Sequence, residues 1–358
     1  MSDLLITGSN AVRNSQLALN VVSNNIANVN TEGYVKQSVN YAESPSTAVG
    51  ALSIGTGAIA DGISRAYDGL VENALRTSES DLKSKETMLT QTNKLIDFLG
   101  DEKASLTPAL GAFFDSVKSL ANDASSAVRR DQLIGSGRAL ASRFNEISAQ
   151  LTSFEEDTRK ALELKIEQVN ELVSELGLVN KKLIRIQDLA KQPPELLNLR
   201  DRLLADLSNF VKTSIVEKEN GSFDLHIESV GSPIVDRREV GQLQVRDSGS
   251  EPDKVEIFQS TVEGDLRLTR PGGEITGLID FRERVLDPLS TGLESIASTF
   301  LDSVNEIHRS GIDLLGQKGK DLFIAEPSVE VSLPDETGRL GFTVDTSNFA
   351  RTASQSYE

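Results

Sequence analysis

Cysteine and tryptophan are absent from the 358 residues, aromatics make up only 5% and histidine occurs twice. Without cysteine there is no disulfide, no thiolate metal site and no cysteine nucleophile. The two histidines, His226 and His308, lie in different expected elements with no metal-ligand spacing between them. His226 is expected to face solvent from a strand, and His308 lies near a helix end, where a cation suits the dipole. No apolar run approaches the roughly 18 residues that a membrane span needs. Positive charge is scarce: 37 Lys and Arg against 54 Asp and Glu leave a net −17. Nucleic acid and anionic membranes both need a positive footprint, so neither is an expected partner. Gly55, Gly57 and Gly62 lack the spacing of a phosphate loop, and no Gly-Lys-Ser/Thr follows. Gly135-Ser136-Gly137 lacks the spacing of a nucleophile elbow. No cofactor, no metal and no enzymatic reaction is expected.

What is present is helical period. The length sets a prior of two to three domains, and 38% hydrophobic residues suit thin cores and long exposed helices. Residues 1–28 read as one helix in which Leu5, Val12, Leu19 and Ile26 recur every seven residues, the mark of a narrow coiled-coil-like seam. One short amphipathic helix is marginal in water, so this seam needs a partner. Further helices are expected over 67–99, 108–127 and 130–190. The last has a seam of Leu140, Phe144, Ile147, Leu151 and Phe154, which shifts phase after Thr158 and resumes at Leu162, Ile166, Val169, Val173 and Leu176. Pro193-Pro194 stops it, and a short Leu-rich helix follows. From Thr213 the period becomes two, with a hairpin expected at Asn220-Gly221. A helix over about 275–310, broken or kinked at Pro288, returns to the earlier helices.

These patterns divide the chain into five segments. They are a helix and loop over 1–66, a long-helix rod over 67–212, a small β insert over 213–273, a returning helix over 274–315, and the start of another β region over 316–358. The fold class is mainly α with β inserts (α+β), an elongated bundle of coiled-coil-like helices with small β domains.

The end of the first helix is crowded with amides: Ser23-Asn24-Asn25-Ile26-Ala27-Asn28-Val29-Asn30-Thr31-Glu32-Gly33-Tyr34. Asn tolerates left-handed backbone and caps helix C-termini, and Gly33 is the expected positive-φ residue before Tyr34. The charge of the first 60 residues is sparse, as suits a surface that an assembly buries. The amides read as directional hydrogen-bond donors and acceptors between neighbouring subunits. Leu5, Val12, Leu19, Ser23, Asn24, Asn25, Ile26, Asn28, Asn30, Thr31, Gly33 and Tyr34 are therefore the candidate assembly residues.

This signature resembles that of the bacterial flagellar axial proteins of rod, hook and hook-associated type. Two later segments, Leu196-Leu197-Asn198-Leu199-Arg200-Asp201-Arg202-Leu203-Leu204-Ala205-Asp206-Leu207-Ser208 and Gly272-Gly273-Glu274-Ile275-Thr276-Gly277-Leu278-Ile279-Asp280-Phe281-Arg282-Glu283-Arg284-Val285-Leu286-Asp287-Pro288-Leu289, resemble the hook-associated FlgK family. The resemblance implies a structural protein of the hook–filament junction that assembles into a helical layer with itself, between hook protein and the next hook-associated junction protein. It implies an extracellular, flagellar location, reached through the flagellar export apparatus without a cleaved signal peptide. It also implies an export chaperone, whose site in the family lies toward the C-terminus. Family members continue into further helices where this sequence stops at Glu358, so the chain reads as truncated, its chaperone site missing and residues 1–60 poorly ordered without their helical partner. The alternatives are another axial protein, rod or hook, and a non-flagellar helical interaction module. The charged runs Arg200-Asp201-Arg202 and Asp280–Arg284 read as ion-pair networks that lock the bundle or a neighbouring subunit.

Overall fold

A computed structural model describes residues 2–49, 52–100, 105–186, 191–218, 222–227, 231–237, 239–247, 255–261, 264–313, 316–327 and 340–344. The element order is α1 (Ser2–Ala27), β1 (Gln37–Glu43), β2 (Thr47–Val49), β3 (Leu52–Ile54), β4 (Ala58–Arg65), α2 (Gly69–Leu99), α3 (Thr107–Asn122), α4 (Ala127–Ile184) and α5 (Pro194–Phe210). There follow β5 (Thr213–Glu217), β6 (Phe223–Ile227), β7 (Gln242–Asp247), β8 (Val255–Thr261), β9 (Gly264–Leu268), α6 (Gly273–Phe281), α7 (Asp287–Ser310), β10 (Phe323–Pro327) and β11 (Leu340–Val344). This is the mainly helical α+β fold that the periodicity implies.

Local chemistry sets the boundaries. The Asp68 carboxylate accepts from the backbone N–H groups of Leu70 and Val71 at 3.0 and 3.3 Å, satisfying free donors at the start of α2. Pro108 and Pro194 stand in the first turns of α3 and α5, where a missing N–H costs nothing. Two boundaries fall short of expectation: α3 ends at Asn122 and α4 at Ile184. The returning helix is interrupted ahead of Pro288. Arg282–Leu286 forms a π turn, closed by the Asp287 N–H donating to the Arg282 carbonyl. The wider turn lets Pro288 fall in the first turn of α7, where its lack of a donor is tolerated.

The chain divides into two compact units. The first comprises Met1–Lys85, Leu164–Arg246 and Glu256–Thr276; the second comprises Glu86–Glu163, Asp247–Val255 and Gly277–Glu358. In the first, β1 pairs antiparallel with β4, with a register shift at Asn40/Tyr41, β5 pairs with β6, and β7, β8 and β9 form a three-stranded sheet. The expected hairpin is present; its Asn220-Gly221 tip lies outside the described residues. The C-terminal α4 seam is buried here: Ile166, Val169, Val173, Leu176, Val179 and Leu183 are at most 4% exposed. Gly272-Gly273 lets the chain turn tightly onto α5. Gly273 has φ +55, and a Cβ there would lie 2.2 Å from the Phe210 carbonyl carbon.

In the second unit the N-terminal half of the α4 seam is the organiser. Leu140 and Phe144 pack with Phe113, Ala297, Leu322 and Phe323. Ile147 and Leu151 pack with Leu95, Phe281 and Leu286. Phe300 completes the first cluster, edge-on to Phe113 and Phe323 at 5.5 Å. β10 pairs antiparallel with β11. Of the β region expected over 316–358, residues 328–339 and 345–358 lie outside the described residues.

Candidate functional site

The first helix is built inside out. Leu5, Val12, Leu19 and Ile26 are 76%, 59%, 68% and 68% exposed, and Val22 and Val29 extend the same row. The residues turned inward, at half-buried or buried positions, are Thr7, Asn10, Asn14, Leu17, Ala18, Val21, Asn25 and Asn28. Ala18 aside, they step by three and four as a seam does, yet most are polar. An amide face needs hydrogen-bond acceptors and donors opposite it, and the β1–β4 hairpin supplies them. Asn14 Nδ2 donates to the Ala58 carbonyl at 2.7 Å, Thr7 Oγ1 to the Thr56 carbonyl at 3.3 Å, and Tyr41 Oη to the Asn14 carbonyl at 3.4 Å.

Asn25 is the strongest of these anchors. Its Nδ2 donates to the Gln37 carbonyl at 2.9 Å and its Oδ1 accepts from the Gln37 N–H at 2.9 Å. Tyr34 Oη donates to the same Oδ1 at 2.8 Å. A carboxamide has a donor and an acceptor spaced like those of a peptide group, so it pairs with both main-chain groups of one extended residue. The device recurs. Asn170 clasps Leu243 at 2.9 and 2.7 Å, Asn180 clasps Phe223 at 2.8 and 3.0 Å, and Asn305 clasps Phe323 at 2.7 and 3.0 Å. Four helical asparagines thus each hold a strand residue by main-chain chemistry, independent of that residue's side chain.

The signature turn closes beside Asn25. Thr31 Oγ1 donates to Asn28 Oδ1 at 3.2 Å, and Asn28 Nδ2 donates to Asn24 Oδ1 at 2.9 Å. Gly33 has φ +72, as expected, and its Cα faces the Arg202 side chain, 3.6 Å from where a Cβ would stand. Burial first, and the nearby Glu195 carboxylate second, hold the Tyr34 hydroxyl above the ordinary tyrosine value. The turn and α5 line an open cleft of about 200 Å³. The turn contributes Asn24, Asn28, Thr31, Glu32, Gly33, Tyr34 and Gln37, and α5 contributes Glu195, Asn198 and Arg202.

A buried ion cluster pins the hairpin to α5. Arg65, at the end of β4, pairs with Asp201, and Arg200 reaches Asp201 Oδ1 at 2.8 Å and Glu217 Oε1 at 2.8 Å. The side chains of Arg65, Arg200 and Asp201 are 5%, 5% and 10% exposed. Tyr67 lies under both guanidinium groups, 4.9 Å from Arg65 and 5.8 Å from Arg200. Burial alone would lower the Arg200 pKa; the Asp201 and Glu217 carboxylates outweigh it and raise it above the ordinary value.

The candidate assembly residues therefore separate. Leu5, Val12, Leu19 and Ile26 form an exposed row, and Ser23 and Asn30 are exposed beside it. Asn24, Asn25, Asn28, Thr31, Gly33 and Tyr34 build the turn and its attachment, so the reading of Asn25 as a donor to a neighbouring subunit is corrected: both ends of its amide are engaged within the chain. Arg200-Asp201 likewise locks its own chain, since a buried guanidinium is inaccessible to a neighbour. Asp280 is also buried, with Arg284 at 3.5 Å. His226 is half-buried rather than solvent-facing. Sequence reasoning missed Arg65, Glu195 and Asn198. The signal for Asn198 was an amide set between leucines on a helix that buries its apolar side. No helix among the described residues is long and apolar enough to cross a membrane.

Comparison with known proteins gives a consistent set of likenesses. The family model described as "Flagellar hook-associated protein FlgK helical domain" matches residues 92–323, and one described as "Flagella basal body rod protein" matches residues 5–34. The chain is 29% identical to flagellar hook-associated protein 1 of Salmonella typhimurium over 336 residues, covering 92% of this chain and 61% of that protein. It is 24% identical to flagellar hook-associated protein 1 of Bacillus subtilis over 355 residues, covering 89% and 69%. Among solved structures, the flagellar hook junction protein FlgK from Burkholderia pseudomallei matches with a TM-score of 0.64 at 25% identity, over 72% of this chain and 47% of that one. The chain thus spans about three fifths of the length of the Salmonella relative.

Proposed function

The chain belongs to the FlgK family of flagellar hook-associated proteins, and from that premise we propose that it is a structural building block of the bacterial flagellum at the hook–filament junction. The observation that carries this reading is the exposed apolar row of α1 on a helix whose opposite face is fastened by amides. A row of this length has no stabilising role in a lone chain; it is a surface for neighbouring subunits. The clasp at Asn25 and the ion cluster at Arg65 fasten residues 1–66 within the single chain, which departs from the expectation of poor order over 1–60 and leaves less to be ordered when subunits meet. Subunits in such a layer repeat by a heterologous, head-to-tail contact. Residues 1–66 are the axial segment, 67–212 and 274–315 the rod, 213–273 a β insert and 316–358 the start of a further β region.

The chain catalyses no reaction in this reading. Its partners are further copies of itself, hook protein and the next hook-associated junction protein, outside the cell. It reaches them through the flagellar export apparatus, attended by an export chaperone. Electron microscopy of cells lacking the full-length gene tests the reading, with a blot of the medium for flagellin. Bare hooks with flagellin lost to the medium are expected; missing hooks would move the protein to rod or hook, and normal filaments would reject the reading.

A further inference from the structure

Three residues join the end of β4 to the start of α2, and each of them is held. Arg65 closes β4, and α2 begins at Gly69. The Ala66 N–H donates to the Lys36 carbonyl at 2.8 Å, which carries the β1–β4 pairing one step beyond the strands. The Tyr67 ring lies under the guanidinium groups of Arg65 and Arg200, and the Asp68 carboxylate caps α2. A hinge needs a few residues free to absorb changes of φ and ψ, and this link has none. We propose that residues 65–68 are a rigid coupling between the axial segment and helices α4 and α5, with Tyr67 as its positioning residue, so that every copy presents the α1 row in one pose. The proposal rests on the assembly reading above and supplies the part of it that sets the pose.

The chemistry around Tyr67 explains how a link so short can carry a pose. Two buried guanidinium groups repel each other unless carboxylates stand between them. Asp201 gives one oxygen to Arg65 and the other to Arg200, and Glu217 pairs with Arg200 from β5, so two cations meet two anions. A planar guanidinium paired with a carboxylate at its edge and laid over a ring at its face is fixed in position and in tilt, which a lysine ammonium would not be. Arg200 also lies 5.9 Å from the Phe223 ring, and Phe223 is the residue that Asn180 of α4 clasps. Contacts therefore run from α4 through Phe223, Arg200, Asp201 and Arg65 to β4. They continue from β4 to α1 through the Ala58 carbonyl and Asn14.

Double electron–electron resonance tests this on the full chain in dilute solution. The chain has no cysteine, so spin labels attach only where cysteines are introduced. The pair Q16C on α1 and S174C on α4 reads the pose of the axial helix. The pair S174C and D206C reads α4 against α5; all three positions are exposed. With Tyr67 intact, each pair is expected to give a single narrow distance. Y67L is expected to lose the narrow distance of the first pair and keep that of the second. Y67F keeps a ring under both guanidinium groups and is expected to keep both. A first pair that is broad with Tyr67 intact, or stays narrow in Y67L, overturns the proposal. Loss of both distances in Y67L also overturns it, because Tyr67 would then hold the core and not the pose. Y67F that behaves as Y67L would put the effect in the hydroxyl and overturns the stacking. Swim rings of cells with Y67L in the full-length gene read the consequence. Smaller rings, restored by Y67F, are expected, and full-size rings beside a lost first distance would overturn the need for one pose. The distances are read on single chains, so they fail or hold separately from the flagellar reading, which the bare-hook experiment decides.

Discussion

The first and fourth helices have the same kind of apolar repeat and use it in opposite directions. In α4, Leu140 to Leu151 and Ile166 to Leu176 face inward and are at most 5% exposed. In α1, Leu5 to Ile26 face outward, and the chain instead turns the half-buried Asn14 and Asn25 onto a hairpin. Burying a leucine side chain stabilises by roughly 1.5–3 kcal/mol, whereas a neutral hydrogen bond contributes about 1 kcal/mol net. A lone chain would therefore gain by turning α1 over. That it presents the amides inward leaves the apolar free energy of this row ungained in the single chain, as the proposed assembly requires.

The comparison breaks most severely at the cluster that fixes the hairpin under α1. Asp201→Ala leaves Arg65 and Arg200 buried without their shared carboxylate. Breaking such a pair costs about 3–5 kcal/mol, enough to lower the denaturation midpoint and to release β4 from α5; an unchanged urea midpoint would mean that the cluster is not structural. Leu176→Ala tests the buried seam. At 0% exposure the expected loss is about 2–5 kcal/mol, the spread reflecting how far the cavity collapses. The clasps come next. Asn180→Ala strands the Phe223 N–H and C=O in the interior, for an expected loss of about 1–3 kcal/mol, with amide exchange rising first along β6. The smallest of these is Leu19→Ala on the exposed row, expected to move the stability of the single chain by less than about 0.5 kcal/mol. A loss as large as that at Leu176 would mean that α1 buries its apolar row after all.

Much of the difference was legible, and one part was not. Period picks out which residues share a face: Leu5, Val12, Leu19 and Ile26 in α1, Leu140 through Leu176 in α4. The Asn-crowded turn with a left-handed Gly33 also follows from composition. Period does not say which of two faces a chain uses internally. Thr7, Asn10, Asn14, Leu17, Val21, Asn25 and Asn28 form an equally regular row, hidden because seam-finding weighs apolar residues and the row is amide-rich. The clasps are illegible for a related reason, since each reads the main chain of its target, and main-chain chemistry leaves no mark in the target's identity. Arg65 was missed because its carboxylate lies at Asp201, far along the chain. Pro288 pointed to the place where the returning helix is interrupted, and the π turn just before it is the device that composition does not show.

A last effect, read as a change with pH, sharpens the comparison at the joint between the two faces of α1. Tyr34 donates its hydroxyl to Asn25 Oδ1, the atom that also holds Gln37. Its folded pKa lies above the unfolded value of 10.0, through burial first and Glu195 second. A raised folded pKa means that the stability it contributes is fully present below pH 10 and declines as pH rises through the folded value, because the unfolded chain releases its proton first. Lysines and the other tyrosines titrate in the same range, so the readout is the difference between wild type and Tyr34→Phe, measured by denaturation from pH 8 to 11. Below pH 10 the wild type is expected to be more stable by about 1 kcal/mol, one net hydrogen bond, and the gap is expected to close as pH rises above 10. A gap constant across that range would mean that the hydroxyl contributes by packing alone, and that Asn25 holds the hairpin without its help.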